Sequence, residues 1–446
     1  MLNKINTQYD LPKQLIWVYI ILLIFEGAIR KWILPGLATP LLLIRDPIAI
    51  WLILVAWKRG LIQFNIYLVI LSIVGVIGLF TAMFLGHGNF WVALYGLRTL
   101  ILHFPLIFII GNVFNRDDVI KVGRFIIWTS IPMTVLLFLQ FYSPQSAWVN
   151  RGIGGDTAGG GFAGALGFFR PPTTFSFANG TTSYYSLAAC FVFYFWLASE
   201  KYIDRRVLLA SSIAVLMSIP MSISRSLFFS VIVTGLFVIM AVFRDPKKSG
   251  KIILVGISVL VLFLILAQVG LFQKATDVFA DRLTNASASE GGISASLTDR
   301  YLGGMVFAIT NSSNLPFWGY GIGMGTNVGS ILLTGSSHYL ISEGEWGRLI
   351  GELGIFMGLI VILIRLIISA KITLACYERI SYGDLLPWIL LSFSLLTLPQ
   401  GQWSQPTSLG FCIVGVGVTI AALRIPKRAS NIPNEVKKVV RHSWIF

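Results

Sequence analysis

The protein has 446 residues, of which 56% are hydrophobic and only 12% are charged, whereas soluble proteins carry about 25% charged residues. The 34 Lys and Arg residues outnumber the 19 Asp and Glu residues, which gives a formal net charge of +15. This composition excludes soluble enzymes, secreted disulfide scaffolds and disordered chains. Apolar runs such as residues 252–272 reach the ~20 residues needed to cross a bilayer, so we expect an all-α polytopic membrane protein.

Hydropathy predicts about twelve transmembrane helices, with a large extracytoplasmic loop between the ninth and the tenth. Residues 1–272 are expected to hold helices one to nine, and residues 347–424 helices ten to twelve. The predicted spans are residues 14–29, 39–57, 66–85, 91–113, 125–142, 178–198, 207–222, 226–243, 252–272, 347–368, 385–399 and 406–424. No signal peptide is expected, because the first apolar run continues into Arg30 and Lys31 without a small-residue cleavage site.

The distribution of basic residues indicates the orientation, because cytoplasmic segments of membrane proteins are enriched in Lys and Arg. With the N-terminus inside, most of the Lys and Arg residues fall in predicted inner segments, so both termini are expected in the cytoplasm. Basic clusters at residues 244–251 and 424–441 flank spans, and residues 425–446 form a basic cytoplasmic tail. Anionic lipids of the inner leaflet are their expected partners, and no nucleic acid is expected.

Two predicted outer segments are much longer than ordinary connections, and such long loops are usually functional or disordered. Residues 143–177 are rich in glycine, and residues 273–346 form the large extracytoplasmic loop. Apolar residues at 3–4 spacing over residues 297–309 predict a short amphipathic helix in that loop. The tract Gly-Tyr-Gly-Ile-Gly-Met-Gly at residues 319–325 lies outside any βαβ unit, so it predicts a tight turn with close backbone approach, not a nucleotide loop.

Charged residues inside spans or on the outer side are functional candidates, because they are costly to keep in a membrane. Arg225, between spans seven and eight, and Arg170, before span six, lie on the same predicted face. Two planar guanidinium groups suit the oxygens of a pyrophosphate, although Arg225 can also extend its charge to the membrane boundary. Arg98 is either a third such donor or a member of a structural ion pair.

Other charged groups predict structural pairs or proton transfer. Arg45 and Asp46 are expected to pair with each other or with nearby charged residues, which are Glu26 and Arg30. The second half of the large loop concentrates ionisable groups, namely His338, Glu343, Glu345, Arg348 and Glu352. The last three share one face of a predicted helix. A carboxylate or His338 suits a general base, and the alternative is a solvated, salt-bridged helix start.

Several chemistries lack the residues they need. No Asp-x-Asp pair faces the outer side, and no Walker loop, Gly-x-Ser-x-Gly elbow or His-Glu-x-x-His motif is present. The three cysteines have no metal-ligand spacing. We therefore expect no metal site, no disulfide and no cofactor.

Four stretches within residues 160–366 occur in an order typical of one superfamily. They are residues 170–180 (beginning Arg-Pro-Pro), residues 222–226 (Ser-Ile-Ser-Arg-Ser), Arg300 with residues 316–323, and residues 345–358. With the single large outer loop, this order resembles the O-antigen ligase and Wzy-type polysaccharide polymerase superfamily. Its members are polytopic proteins of the bacterial inner membrane.

The resemblance implies a metal-independent glycosyltransferase of surface polysaccharide biosynthesis. The donor would be an undecaprenyl-pyrophosphate-linked oligosaccharide, and a glycan acceptor would attack on the extracytoplasmic side. The implied pyrophosphate-binding residues are Arg170 and Arg225, and the charge of Arg98 within its span makes it a third candidate for that role. The implied residues that shape the loop and the sugar site are Arg300 and Tyr320, and the outer charge of Arg348 adds it to the candidates there. The implied base is His338, with Glu345 and Glu352 as competitors for that role.

The resemblance leaves open what the acceptor is. Tyr339 follows His338 where ligases usually have Asn, Ser or Gln, and residues 345–348 are interposed before the glycine-rich span start. This departure favours a polymerase of repeat units, with a chain-length regulator as a further partner, over a ligase that uses a lipid or protein acceptor. A membrane transporter or flippase is the alternative class, motivated by Arg45, Asp46 and Arg98, and a structural or assembly role is a third.

Overall fold

The computed structural model describes residues 2–198, 201–244, 250, 268–289, 304–310, 315–336 and 338–424. This described part of the chain is mostly helical (74%), with almost no sheet, as the composition predicts. Among the described residues, five helical segments are long and apolar enough to cross a membrane: Pro35–Lys58, Ile66–Phe84, Phe90–Val113, Arg116–Tyr142 and Glu345–Ile380. Shorter apolar helices are Arg225–Ala241, Leu386–Thr397 and Pro406–Ala422. These segments are those of a membrane protein.

The elements are numbered in chain order. The helices are α1 (Leu2–Ala28), α2 (Ala38–Leu41), α3 (Arg45–Lys58), α4 (Ile66–Phe84), α5 (Phe90–Arg98), α6 (Pro105–Val113), α7 (Arg116–Tyr142), α8 (Ala178–Leu197), α9 (Arg205–Met221), α10 (Arg225–Arg244), α11 (Gly270–Ser289), α12 (Gly304–Thr310), α13 (Asn327–Thr334), α14 (Glu345–Ile380), α15 (Leu386–Thr397) and α16 (Pro406–Ala422). Two π-helical turns, Ile29–Ile33 and Thr99–His103, follow α1 and α5. Strands β1 (Phe162–Ala163) and β2 (Phe169–Arg170) form an antiparallel hairpin.

The connections between helices gather at two opposite ends of the helix bundle. One end, here called the loop end, carries residues 143–177, 315–336 and 338–344. There the Lys31 ammonium donates to the Phe175 carbonyl (2.9 Å) and His87 N donates to the Tyr320 carbonyl (3.2 Å). The opposite end, here called the turn end, carries residues 59–65, 114–115 and 381–385. There Arg116 pairs with Asp384 at 2.5 Å.

Helix α16 lies in the middle of the bundle, and glycines let its neighbour α6 approach closely. A Cβ added at Gly111 of α6 would lie 2.5 Å from the Ile420 side chain, and one at Gly417 of α16 would lie 2.7 Å from Ile110. Helix α4, by contrast, exposes large apolar side chains along one face, which are Ile66, Val69, Ile73, Val76, Ile77, Phe80 and Phe84. An apolar face of this size suits contact with lipid chains.

Several predicted features lie wholly or mostly outside the described residues. They are the ninth span (residues 252–272), the basic cluster at residues 244–251, Arg300 and the basic tail at residues 425–446. Of the amphipathic helix predicted for residues 297–309, the structure describes α12 (Gly304–Thr310). The count of twelve spans stays a prediction.

Candidate functional site

A buried segment at the loop end connects Arg170 to α8. Within residues 171–177, the side chains of Thr173, Phe175 and Ser176 are buried. This segment crosses α1 at Gly27, where an added Cβ would lie only 2.5 Å from the backbone of Phe175. Thr173 has φ = 51°, an uncommon conformation for a β-branched residue. We call residues 171–177 the strap, because their position is fixed by contact with the first helix.

Lys31 holds the strap in place. The Lys31 side chain is 1% exposed, and its ammonium donates to the carbonyl oxygens of Thr173 (2.5 Å) and Phe175 (2.9 Å). Because burial disfavours the charged form, the pKa of Lys31 is lowered to about 7. The ammonium therefore changes its charge near neutral pH while it sits between two carbonyls.

Arg170 lies on the β1–β2 hairpin, which contacts α11 and the turn between α9 and α10. It pairs with Phe162 in the β1–β2 register. Within the same hairpin, the Gly164 carbonyl accepts a hydrogen bond from Arg282 of α11 (2.7 Å). A Cβ at Gly164 would lie 2.7 Å from the side chain of Ile223, so the hairpin also touches the turn between α9 and α10.

Arg225 is the first residue of α10 and directly follows that turn. Ile223 is fully buried with φ = 49°, a strained conformation for a β-branched side chain that is typical of functional sites. Ser224 accepts a hydrogen bond from Leu227 N (3.3 Å) and shares another with Thr182 of α8 (2.8 Å). The segments that carry Arg170 and Arg225 therefore meet beside the first turn of α8, as their predicted common face requires.

The opposite side of the same turn of α8 contacts the segment at the start of α16. The Asn179 amide donates to the side chains of Gln405 and Ser408 (3.0 Å to Ser408). Partial burial and the Glu343 carboxylate raise the pKa of the Tyr339 hydroxyl, while a hydrogen bond with Gln405 opposes that rise. Gln405 therefore neighbours both Tyr339 and Asn179.

His338 lies next to Tyr339 on the surface of the loop end. Its ring is exposed, and its Nδ1 atom lies 3.1 Å from the Ser336 hydroxyl. This geometry leaves Nε2 directed away from that hydrogen bond, so the imidazole is accessible for proton transfer. His338 directly precedes Tyr339, which neighbours Gln405.

These residues surround the beginning of α8. Phe177, the N-cap of α8, supplies no side-chain hydrogen bond to the first turn, and a helix N-terminus with unsatisfied N–H groups attracts anions. We define the α8 site as the first turn of α8 with the surrounding polar residues, which are Arg170, Asn179, Thr182, Ser224, Arg225, Tyr339 and Gln405. It combines a positive helix end with two arginines on one side and hydroxyl and amide groups on the other.

Glu345, Arg348 and Glu352 share one face of α14, as predicted, but they are buried instead of solvated. Both Glu345 oxygens accept hydrogen bonds from Arg348 (2.9 and 3.0 Å), and Glu345 Oε1 also accepts one from Arg365 (2.7 Å). Arg348 also pairs with Glu352 at 2.5 Å. The alternative of a solvated, salt-bridged helix start is therefore right about the ion pairs but wrong about solvation, since the four ionised side chains of this cluster are at most 4% exposed.

The hydrogen bonds of this cluster leave the Glu345 carboxylate unable to accept a proton from a substrate. Glu345 Oε2 also accepts a hydrogen bond from Trp403 N (3.1 Å), so each oxygen of Glu345 already has two donors. The two glutamates and two arginines balance in charge, and Arg365 stacks 3.9 Å from the Trp403 ring. In this arrangement Glu345 has no lone pair left for a substrate proton, and the cluster serves to fix the beginning of α14.

The glycine tract at residues 319–325 makes the close backbone approach that its sequence predicts. Tyr320 N donates to the Gly351 carbonyl (2.8 Å), and Gly321 N donates to the Glu352 carbonyl (3.0 Å). These carbonyls lose their helical partners because Gly354 breaks α14 with φ = 76° and ψ = 167°. Tyr320 therefore caps the break in α14.

Arg98 belongs to a structural pair, which is one of its two predicted roles. It pairs with Asp46 at 2.5 Å, and the other oxygen of Asp46 lies 3.0 Å from His103 Nε2. The His103 ring in turn approaches the Tyr19 hydroxyl (3.3 Å). The Asp46 carboxylate therefore gives the Arg98 guanidinium a partner other than a pyrophosphate.

The expected pairing of Arg45 with Glu26 is confirmed. Glu26 accepts from Arg45 (3.1 Å) and from Arg30 (3.2 Å), and all three side chains are buried. Arg45 also donates to the Pro406 carbonyl (2.8 Å), and Arg30 donates to the Ser176 hydroxyl (2.9 Å). These charged residues therefore hold the strap, which leads into α8, and the start of α16, which follows Gln405 of the α8 site.

Asn179 and Gln405 are members of the α8 site that sequence reasoning did not assign. Both are uncharged, so neither stands out among intramembrane charges. The polar run at residues 400–405 between two apolar spans is the signal that identifies Gln405. No group of three or more His, Cys, Asp or Glu side chains in the described part of the chain is arranged to hold a metal ion.

Comparisons with family models, with curated proteins and with solved structures gave no match to this chain. Its function is therefore inferred from its own residues and their geometry.

Proposed function

We propose that the protein is a multi-pass glycosyltransferase of the bacterial inner membrane. It takes oligosaccharide repeat units from an undecaprenyl-pyrophosphate carrier and polymerises them on the extracytoplasmic side, without a metal ion. The observation that supports this most is the α8 site. There the segments carrying Arg170 and Arg225 meet beside a helix N-terminus that has no side-chain cap.

The α8 site has the charge that a pyrophosphate leaving group needs. Two guanidinium groups present forks of donors to phosphate oxygens, and the start of α8 adds oriented N–H groups. Such donors stabilise the negative charge that grows on the carrier pyrophosphate as the glycosidic bond to it breaks. The strained turn at Ile223 fixes the position of Arg225 before the substrate arrives.

The acceptor binds on the other side of the first turn of α8. Tyr339 and Gln405 supply polar groups for a sugar, and the exposed His338 removes the proton of the acceptor hydroxyl. His338 is favoured over Glu345, because both Glu345 oxygens are occupied by arginine and backbone donors. Tyr339 beside the base favours a polymerase, which a chain-length regulator would assist, over ligation to a lipid or protein.

The proposed topology has about twelve spans, cytoplasmic termini, and the loop end outside. Four basic residues assigned to the cytoplasm by sequence make contacts at the turn end, namely Lys13, Arg59, Arg116 and Arg424. Their common location supports this orientation, since positive charge is enriched on the cytoplasmic side.

The proposal is tested by replacing Arg225 and Arg170 singly with alanine in cells that make the polysaccharide. Loss of one donor to the developing charge is expected to slow transfer about 100-fold, so long chains disappear from the gel ladder while lipid-linked repeat units accumulate. Arg225→Lys keeps the charge without the planar fork and is expected to restore activity only partly. Arg205→Ala, which removes an exposed arginine at the turn end, is the control.

Protein abundance in membranes and the melting temperature separate loss of chemistry from loss of fold. A normal ladder from both alanine variants at unchanged abundance would rule out the pyrophosphate role of these arginines.

The Arg98–Asp46–His103 group, in which His103 is buried and the other two residues are partly buried, favours a second candidate, a transporter or flippase, because intramembrane charges often mark transport pathways. Purified protein in liposomes distinguishes the two functions. Elongation of an added lipid-linked glycan supports transfer, whereas movement of that lipid across the bilayer without elongation supports transport.

A further inference from the structure

A cavity of about 390 Å³ opens at the turn end, opposite the α8 site. It lies between the α3–α4 connection, α6 and the end of α16, and its volume falls within the ~300–1,000 Å³ of small-molecule sites. Its walls combine apolar side chains with a few polar groups, and the members that matter here are Leu61, Asn65, Leu68, Phe108, Leu423 and Arg424.

Asn65 lines this cavity and carries an unused hydrogen-bond donor. Its side-chain oxygen caps α4 by accepting from Tyr67 N (2.9 Å). Its Nδ2 atom has no partner in the described part of the chain, although Asn65 is only 4% exposed. A buried donor without a partner destabilises the folded protein, so a ligand that accepts its hydrogen bond is stabilised there.

Arg424 supplies a positive charge at the same cavity. Its Nη1 atom donates to the carbonyl oxygens of Asn112 and Phe114 (3.0 Å to Phe114), at the end of α6. These two bonds hold the guanidinium in place beside the cavity. The ligand chemistry that matches an amide donor and a fixed cation is an anionic oxygen, such as that of a phosphate.

The surroundings of the cavity are those of a lipid interface. Phe64 is 79% exposed and Ile66 is 51% exposed beside Asn65, and the apolar face of α4 continues from them. An occupant that joins an anionic group to apolar chains therefore satisfies the polar donors and the apolar walls at once.

We infer that this cavity binds an anionic phospholipid of the adjoining leaflet. The lipid phosphate accepts from Asn65 Nδ2 and pairs with Arg424, while its acyl chains follow the apolar walls towards α4. This site is independent of the α8 site and holds whether or not the protein is a glycosyltransferase.

The test uses the full-length protein, purified in detergent and titrated with phosphatidylglycerol or phosphatidylcholine, with bound lipid counted by native mass spectrometry. Asn65→Asp is the sharpest variant, because aspartate also caps α4 but replaces the donor with a negative charge. Arg424→Gln removes the cation. Arg205→Gln removes an exposed cation at the same end of the molecule and is the matched control.

The expected result is preferential retention of phosphatidylglycerol by the unaltered protein and by Arg205→Gln. Asn65→Asp and Arg424→Gln are expected to weaken that binding about tenfold or more, as loss of a hydrogen bond to a charged group does. A melting temperature of Asn65→Asp within experimental error of the unaltered protein shows that its cap is intact.

Three results would overturn the inference. One is that Arg205→Gln weakens phosphatidylglycerol binding as much as Asn65→Asp and Arg424→Gln do, which would mean that the lipid is attracted to the charged surface in general. Another is equal retention of both lipids by all variants. The third is binding of inorganic phosphate with the same dependence on Asn65 and Arg424 but no retention of phosphatidylglycerol, which would identify a site for free phosphate instead of a lipid.

Discussion

Replacing Glu345 with glutamine tests whether this residue is a structural partner or a catalytic base. In the structure its side chain is 0% exposed and accepts hydrogen bonds from Arg348, Arg365 and Trp403 N. The substitution leaves two buried arginines facing the single carboxylate of Glu352. Breaking a buried ion pair by removing one partner costs about 3–5 kcal/mol, because the remaining charge is buried without compensation.

The assay is thermal unfolding of the purified protein, followed by tryptophan fluorescence, together with the polysaccharide ladder in cells. The entropy of unfolding of a chain of this length is on the order of 1 kcal/mol per degree, so Glu345→Gln is expected to lower the melting temperature by about 3–5 °C. Glu343→Gln, which alters an exposed carboxylate two residues away, is expected to leave it unchanged.

A double-mutant cycle makes the test specific. Because Glu345 and Arg365 form one pair at 2.7 Å, Glu345→Gln with Arg365→Met is expected to cost less than the sum of the two single changes, by about 1–3 kcal/mol. If Glu345→Gln abolished glycan transfer with an unchanged melting temperature, Glu345 would be the base and its structural role would be refuted.

Two further predictions concern backbone strain and pH. Gly354→Ala is expected to destabilise the protein by more than the ~1–3 kcal/mol of an unfavourable backbone conformation, because the added Cβ would lie 1.9 Å from the Phe317 carbonyl oxygen. Its control is Gly235→Ala, where nothing lies within 4 Å, and equal melting temperatures for the two variants would refute the clash. Between pH 7 and 9, folded Lys31 loses its proton while the unfolded chain keeps it, so stability is expected to rise by about 2 kcal/mol. The Lys31→Met variant is expected to lack this rise, and a parallel rise in both proteins would contradict the lowered pKa.

Hydropathy predicted the bounds of a helix well where a local sequence signal marks its start. The predicted span 66–85 matches α4 (Ile66–Phe84), whose start is capped by Asn65, and span 406–424 matches α16 (Pro406–Ala422), which begins with proline. Helix α14 extends to Ile380, well beyond the predicted end at residue 368. Charged residues near its end lower the hydropathy without breaking the helix, so hydropathy underestimates such helices.

Features that depend on backbone register could not be predicted from the sequence. The predicted span 91–113 is interrupted by the π-helical turn Thr99–His103, because hydropathy does not distinguish the hydrogen-bond registers of a helix. The strap is a similar case. Its polar side chains resemble a surface loop in the sequence, yet the structure buries them, and the Thr174 hydroxyl donates to the Ile24 carbonyl of α1 and to the Met133 sulfur of α7.

The candidate site was predicted in part. Arg170 and Arg225 stood out because charge is rare in this chain, and their segments do meet. The pairing of Glu345 with Arg365, twenty residues further along α14, has no local signal, because it depends on the path of the helix and on Trp403. Uncharged partners such as Asn179 were missed because they do not stand out among the few charged residues of this chain.

The strap has a consequence for how the protein is made. Chains emerge from the ribosome N-terminus first, so α1 is synthesised long before residues 171–177. The groove at Gly27 and the Lys31 ammonium are therefore in place when the strap arrives, and they act as a template on which it docks. The position of Arg170 therefore depends on α1, which is made earlier than the strap. A substitution that displaces α1 is expected to displace Arg170 in the α8 site as well.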